Sequence, residues 1–156
     1  MDLEEKKAIL VACDFSEWRG WERARRQGTS LSEVHGFGEI LFGIGGAVSY
    51  LADGYESERS VESLTLGYKS LSNYYATIPF DQLDPSDEDF RFLFDYKKRL
   101  DEFGRTVDTF VERVRVNGMK ASRDWPEYRE VRAMIHELMA TNYRETILKK
   151  YDIRFS

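Results

Sequence analysis

Apolar residues recur three and four positions apart through most of this 156-residue chain, and no segment alternates apolar and polar residues over a useful length. The first spacing places side chains on one face of an α-helix, whereas a β-strand needs a period of two. The clearest stripe lies in the second half of the chain and comprises Leu93, Tyr96, Leu100, Phe103, Val107, Phe110 and Val114. The pattern therefore predicts an all-α protein.

Helix-starting and helix-ending residues divide this pattern into about five helices. The predicted helices span about residues 2–27, 30–54, 57–77, 85–116 and 124–150. The long helix near 85–116 has Asp84 as its predicted cap and Pro85 at its first position, where a missing N–H costs nothing. Gly28, Gly54 and Gly118 follow predicted helix ends. Since most connections are short, we expect the helices to form one bundle with mostly antiparallel neighbours.

Composition indicates a single globular domain over residues 1–156. Apolar residues make up 42% of the chain and charged residues 33%, a balance that allows a chain of this length to bury a core. The net charge of −5 gives no general attraction to nucleic acid or anionic lipid. Cys13 is the only cysteine, which excludes an intramolecular disulfide and a cysteine-rich zinc site. We expect no metal, cofactor or membrane segment, and the lack of signal-peptide features favours the cytoplasm.

Glycines are concentrated in one apolar segment between Ser32 and Gly54. They are Gly36, Gly38, Gly43, Gly45 and Gly46. A glycine-rich phosphate loop would follow a strand, and no strand is predicted here. A membrane span needs about 20 apolar residues, whereas the run from Phe37 to Ala52 is shorter and contains Glu39. The segment is therefore predicted to be a helix in which each glycine costs about 1 kcal/mol relative to alanine.

Two interpretations of this glycine-containing helix stay open. In the first, the helix lies at the centre of the bundle and neighbouring helices contact it on all sides. In the second, one side is a surface for another molecule, because His35, Glu39, Gly43 and Gly46 lie together there on a helical wheel. The glycines would leave room for a partner helix or a small ligand beside an ionisable pair. These four are therefore candidate interface residues.

Tryptophan and arginine are concentrated in the first predicted helix. Trp18 and Trp21 are candidate interface anchors, and the arginines beside them are Arg19, Arg23 and Arg26. A second basic cluster, near the end of the long helix, comprises Arg113, Arg115, Lys120 and Arg123. Both groups lie at predicted helix C-termini, where cations stabilise the helix dipole, so capping explains much of the pattern. The alternative is that they contact a nucleic-acid backbone.

The segment from Tyr128 to Ile153 resembles the last helix of HEPN domains, which are small helical bundles that include dimeric ribonucleases. The family's motif is an arginine, four to six residues and a histidine, and Arg129 and His136 match it with six residues between them. The resemblance implies that His136 acts in acid–base chemistry and that Arg129 steadies the scissile phosphate. It covers only this last segment, and Glu130 follows Arg129 where a polar amide is common. The other interpretation is that His136 is a partly buried structural histidine on one stripe with Tyr143.

Elsewhere the sequence contains no evident acid pair, nucleophile–base pair or metal cluster. We therefore expect a non-enzymatic helical bundle that works by protein–protein contact, as a small subunit or adaptor of a larger assembly or as a homo-oligomer. A small helical subunit of a nucleoprotein complex is the first alternative. A HEPN-like ribonuclease is the second.

Overall fold

The computed structural model describes residues 2–13, 37–55, 58–76, 78–141 and 143–153. Within these ranges the chain forms five helices of ten or more residues and one single-turn helix. They are α1 (Leu3–Ala12), α2 (Phe37–Ala52), α3 (Glu58–Ala76), α4 (Glu88–Val116), α5 (Pro126–Ala140) and the one-turn α6 (Tyr143–Thr146). Short 3₁₀ turns are formed by Phe80–Gln82 and Leu148–Tyr151. No strand occurs in the described ranges, and the predicted all-α class is confirmed.

Helices α2 to α5 form a four-helix bundle. Helix α2 packs against α3 and α5, and α4 packs against the same two helices. Short connections join α2 to α3 and α4 to α5, so each of these pairs is antiparallel. Helices α2 and α5 are antiparallel too, because the carbonyl of Leu51 in the last turn of α2 accepts a hydrogen bond from the N–H of Ala121, which precedes α5. The predicted bundle of antiparallel neighbours is confirmed.

The apolar stripe of α4 lies at the centre of the core. All seven residues of the predicted stripe are buried, from Leu93 to Val114. The ring of Phe103 meets that of Tyr68 on α3 at a centroid distance of 6.3 Å. Burial of such large side chains is the main favourable term in the stability of a bundle.

Gly104 of α4 allows a very close approach by a neighbouring helix. A Cβ atom built on this residue would overlap the ring of Tyr68 from α3. The tyrosine ring therefore lies directly against the α4 backbone. Any larger residue at this position would push the ring away or separate the two helices.

The end of the long helix was predicted correctly, but its first residue was not. The carboxylate of Asp84 accepts hydrogen bonds from the N–H and hydroxyl of Ser86, so it stabilises a turn ahead of the helix. Asp87 is the actual N-cap, and its Oδ1 accepts from the N–H of Asp89 at 2.9 Å. The predicted cap at Asp84 is wrong because its side chain is already used by this turn. At the other end, Asn117 is the C-cap and Gly118 follows it, so the helix ends at Val116 as the sequence predicted.

The predicted fifth helix is broken at Thr141, which has extended backbone angles (φ −78°, ψ 115°). The Thr141 hydroxyl donates to the carbonyl of Glu137 at 3.0 Å and accepts from Arg99 Nη1 at 3.3 Å. The first bond satisfies the Glu137 carbonyl, which a continuing helix would pair with a backbone N–H. The break redirects the chain so that Tyr143 is buried against α1, and a single helix over 124–150 is therefore wrong.

The first helix is also shorter than predicted, because α1 ends at Ala12 with Cys13 as its C-cap. The start is correct, since Asp2 Oδ1 accepts from the N–H of Glu5 at 2.8 Å. Near the other end, the carbonyl of Leu10 accepts from the hydroxyl of Tyr143 at 2.6 Å. A helix running unbroken to Gln27 is therefore wrong, and residues 14–36 lie outside the described residues.

Candidate docking groove between α2 and α5

An open groove of about 570 Å³ lies between α2 and α5. Its lining comprises Leu41, Phe42, Gly45, Gly46 and Ser49 of α2 with Arg132, Ile135, His136, Met139 and Ala140 of α5. These positions fall on one face of each helix, spaced three, four or one residue apart. The groove is thus a product of helix periodicity on two antiparallel neighbours.

Gly45 leaves room for the Arg132 guanidinium at the base of the groove. Its carbonyl accepts a long hydrogen bond from Arg132 Nη1 at 3.4 Å. A Cβ atom on Gly45 would lie 3.0 Å from that nitrogen and 3.7 Å from Ile135 Cδ1. The missing side chain therefore lets the guanidinium lie across α2 at the base of the groove.

The groove presents apolar surface to solvent. Leu41 and Ile135 form a buried floor, with 1% and 5% of their surface exposed. Phe42 stands at the rim with 75% of its surface exposed, and Met139 is 49% exposed. An aromatic ring in that position gains little from the fold of its own chain, and contiguous apolar surface of this kind marks interaction sites.

Arg132 supplies the positive charge of the groove. Its side chain is half-buried, and within the described ranges it makes no ion pair. None of the described residues that line the groove carries a carboxylate. Its guanidinium has five N–H donors, and the long bond to Gly45 uses one of them.

The structure separates the glycines that the sequence grouped together. Gly43 and Gly46 are exposed, and a Cβ atom on either would meet nothing within 4 Å. The expectation that neighbours contact this helix on all sides is therefore wrong. Of the four candidate interface residues, Gly46 lines the groove and Gly43 lies outside its lining. His35 and the side chain of Glu39 lie outside the described residues.

The tryptophans and arginines of the first predicted helix lie outside the described residues as well. They are Trp18, Trp21, Arg19, Arg23 and Arg26. Their predicted roles as interface anchors or nucleic-acid contacts stay predictions.

Two members of the second basic cluster pair with carboxylates in the described part of the chain. Arg113 Nη1 lies 2.5 Å from Glu127 Oε2, and the guanidinium lies 4.3 Å from the centroid of the Trp125 ring. Arg123 Nη2 lies 2.6 Å from Asp53 Oδ1. The other two members, Arg115 and Lys120, are exposed. Two of the four cations thus join α4, α5 and the end of α2.

Arg129 and His136 are both exposed on α5. Arg129 Nη2 lies 3.8 Å from Asp124 Oδ1, while His136 lines the groove. The interpretation of His136 as a partly buried structural residue is wrong, because the helix ends before Tyr143 and the shared stripe does not form. The spacing of seven residues places Arg129 and His136 two turns apart on one side of the helix.

A charge cluster at the start of α4 differs from the groove and is called the Asp89 cluster below. It comprises Lys6, Asp87, Asp89, Lys150 and Tyr151. Lys6 Nζ lies 2.9 Å from Asp87 Oδ2 and 3.1 Å from Asp89 Oδ2. Lys150 Nζ lies 2.6 Å from Asp89 Oδ1, and the Tyr151 hydroxyl also donates to Asp89. The cluster therefore links α1 and the last 3₁₀ turn to α4.

These contacts hold the two carboxylates and the two lysines of the Asp89 cluster in their charged forms. Burial alone would raise the pKa of Asp89, but hydrogen bonds from Lys150, Tyr151 and Lys6 outweigh burial and lower it to about 2. Burial alone would lower the pKa of Lys6, but hydrogen bonds to Asp87, Tyr151 and Asp89 raise it. Every charge here has an opposite charge beside it, which is typical of a structural ion-pair network.

Two further classes of site were sought in the described part of the chain. No group of three or more His, Cys, Asp or Glu side chains is placed to hold a metal ion there. No helix in those same ranges has the length and apolar character needed to cross a membrane.

The groove residues that were not singled out from the sequence include Phe42, Arg132 and Met139. Phe42 and Met139 are large apolar residues that lie beside the main stripe of their helix rather than on it. That departure from the period is a signal that could have identified both. Arg132 had no such signal, because its importance depends on a glycine of another helix.

Comparisons of the chain with protein-family models, with curated proteins and with solved structures find no match.

Proposed function

We propose that this protein binds a partner protein through the α2–α5 groove and acts as a non-enzymatic subunit or adaptor. The observation that carries the proposal is the exposed apolar rim, with Phe42 and Met139 above a floor of Leu41 and Ile135. Such a surface is costly in water and is stabilised when another apolar surface covers it.

The openness of the groove favours a protein over a small molecule. Drug-sized ligands usually have about 70–90% of their surface buried in a pocket. Here Phe42, Gly46, His136, Met139 and Ala140 are all exposed, so half of the lining faces solvent. A helix laid along the groove would cover these residues, whereas a small molecule would leave them exposed to solvent.

Charge favours a different protein over a second copy of this chain. A two-fold symmetric pair brings the same surface together from both sides. Arg132 would then face a groove whose described lining contains no carboxylate. A partner with acidic residues beside its apolar surface complements the groove better.

Two leucine substitutions on α2 provide the test. A Cβ atom on Gly43 or Gly46 would meet nothing within 4 Å, so both Gly43→Leu and Gly46→Leu should fold and gain helix propensity. Only Gly46 lines the groove. We expect the wild-type chain and Gly43→Leu to co-purify with one protein in stoichiometric amount, and Gly46→Leu to lose it. Calorimetry with that purified partner should show binding weakened about tenfold or more by Gly46→Leu alone.

Several results would contradict the proposal. A partner that both leucine variants retain binds outside the groove. Light scattering that shows a dimer, lost only in Gly46→Leu, would make a second copy the occupant. A wild-type chain that is recovered from its native cells as a monomer with no partner would count against docking altogether.

A ribonuclease function is the second candidate, because Arg129 and His136 are both exposed two turns apart on α5. RNA cleavage that His136→Ala abolishes and that Gly43→Leu retains would support it. The absence of cleavage, or cleavage that survives His136→Ala, would remove it. The nucleoprotein alternative has less support, since Arg113 and Arg123 already pair with carboxylates of the chain.

A further inference from the structure

We infer that the groove receives an amphipathic helix of the partner, and that Arg132 binds a carboxylate which that helix carries beside its apolar side chains. This inference rests on the proposed docking function. It adds the chemical character of the partner and a residue that would select it.

Arg132 differs from nearby arginines in its polar partners. Arg123 lies 2.6 Å from Asp53, and Arg129 lies 3.8 Å from Asp124. Among the described residues, the one polar partner of Arg132 is the Gly45 carbonyl at 3.4 Å, although Arg132 is half-buried. A planar guanidinium is well suited to bidentate binding of a carboxylate, and such a bond strengthens where water is partly excluded.

The helical walls of the groove favour a helical occupant over an extended one. Both walls of the groove are α-helices, whose N–H and C=O groups are paired within each helix, so the groove offers no sheet edge. An extended segment would bury unpaired backbone groups, whereas a helix satisfies its own. The lining extends over nine residues on each wall, from Leu41 to Ser49 and from Arg132 to Ala140, which is eight helical steps. That is about 12 Å, or two turns of a docked helix with anchors at i, i+3 or i+4, and i+7.

The positions of Arg132 and Met139 predict the spacing between the carboxylate and the apolar anchor of the partner helix. Arg132 and Met139 lie seven residues apart on α5, which is about 10 Å along the helix axis. Met139 and the exposed Phe42 ring form the apolar part of the groove, and Arg132 forms its charged part. A helix docked along the groove should therefore carry its carboxylate four to seven positions from its principal apolar anchor.

The probe is a displayed library of helical peptides with one fixed leucine and with Ala, Gln, Glu or Lys allowed at every other position. On the wild-type chain we expect selection to enrich Glu over Lys about tenfold, four to seven positions from the leucine. Arg132→Met should remove this charge preference, and Arg132→Glu should reverse it toward Lys. Arg129→Met is the matched control, because Arg129 is an exposed arginine of the same helix outside the groove lining, and it should keep the preference for Glu.

The outcomes distinguish this inference from the docking function on which it rests. Selected peptides that lose binding to Gly46→Leu but show no preference for Glu, or keep it on Arg132→Met, overturn the role of Arg132 and leave docking intact. Peptides that bind Gly46→Leu as well as the wild type lie outside the groove and overturn the docking function itself. Circular dichroism of each variant excludes unfolding as the cause.

Discussion

The Asp89 cluster and the α2–α5 groove differ in whether their charged side chains form ion pairs. In the cluster, Lys6 and Lys150 lie between 2.6 and 3.1 Å from carboxylates. In the groove, Arg132 has a carbonyl at 3.4 Å and no ion pair within the described ranges. The contrast separates residues that hold this fold together from residues that are available to another molecule.

The largest expected effect on stability comes from Asp89→Ala. The substitution leaves Lys6 and Lys150 without their shared carboxylate, and we expect the free energy of unfolding to fall by about 3 kcal/mol. Arg132→Met should change it by no more than about 0.5 kcal/mol, because no ion pair is lost. Urea unfolding followed by circular dichroism measures both. Equal losses in the two variants would show that the groove is as structural as the cluster.

Acid should weaken the Asp89 cluster selectively. Because the pKa of Asp89 is lowered to about 2 in the folded protein, its contribution is present above the unfolded value near 3.8 and is lost as the pH falls toward 2. A shift of this size corresponds to about 2 kcal/mol. Urea unfolding of the wild type and of Asp89→Asn at several pH values should show their difference shrinking by about this amount between about pH 5 and pH 2. A constant difference would mean that the neighbours of Asp89 do not lower its pKa.

Smaller effects of opposite sign are expected at two glycines. An added Cβ atom lowers the free energy of unfolding where it meets a neighbour and raises it where it enters open space. Gly104→Ala should lower the free energy of unfolding by about 1 kcal/mol, since the clash with Tyr68 exceeds the gain in helix propensity. Gly43→Ala should raise it by about 1 kcal/mol, because its Cβ enters open space. Thermal unfolding of both variants tests the pair. Two gains would indicate that the Tyr68 ring moves freely.

Much of the bundle could be predicted from the sequence, because its signals are local. The stripe from Leu93 to Val114 and the stop at Asn117 depend on the period and the turn chemistry of neighbouring residues alone. The ends at Ala12 and Ala140 could not be predicted in this way. There the hydrogen bond between Tyr143 and Leu10 acts across the whole chain, and no local pattern reports such a contact.

The candidate site was less predictable than the fold. Clustered glycines made α2 a candidate for close packing or binding, but they did not indicate which glycine is approached closely and which is open. Gly45 contacts Arg132, while Gly46 one residue later faces empty space. A tighter approach than at Gly45 occurs at Gly104, an isolated glycine in α4. Whether a glycine is contacted depends on which helix packs against it, and a single sequence does not specify that.

The bond between Tyr143 and Leu10 joins residues 133 positions apart. Closing a loop of that length costs about 4 kcal/mol of chain entropy in the unfolded protein, so this contact gains little until the four-helix bundle has shortened the path between its ends. We therefore expect α1 to dock late during folding and to detach first during local opening. Since the groove is built from α2 and α5, it would persist through such openings, and binding there need not wait for the last step of folding.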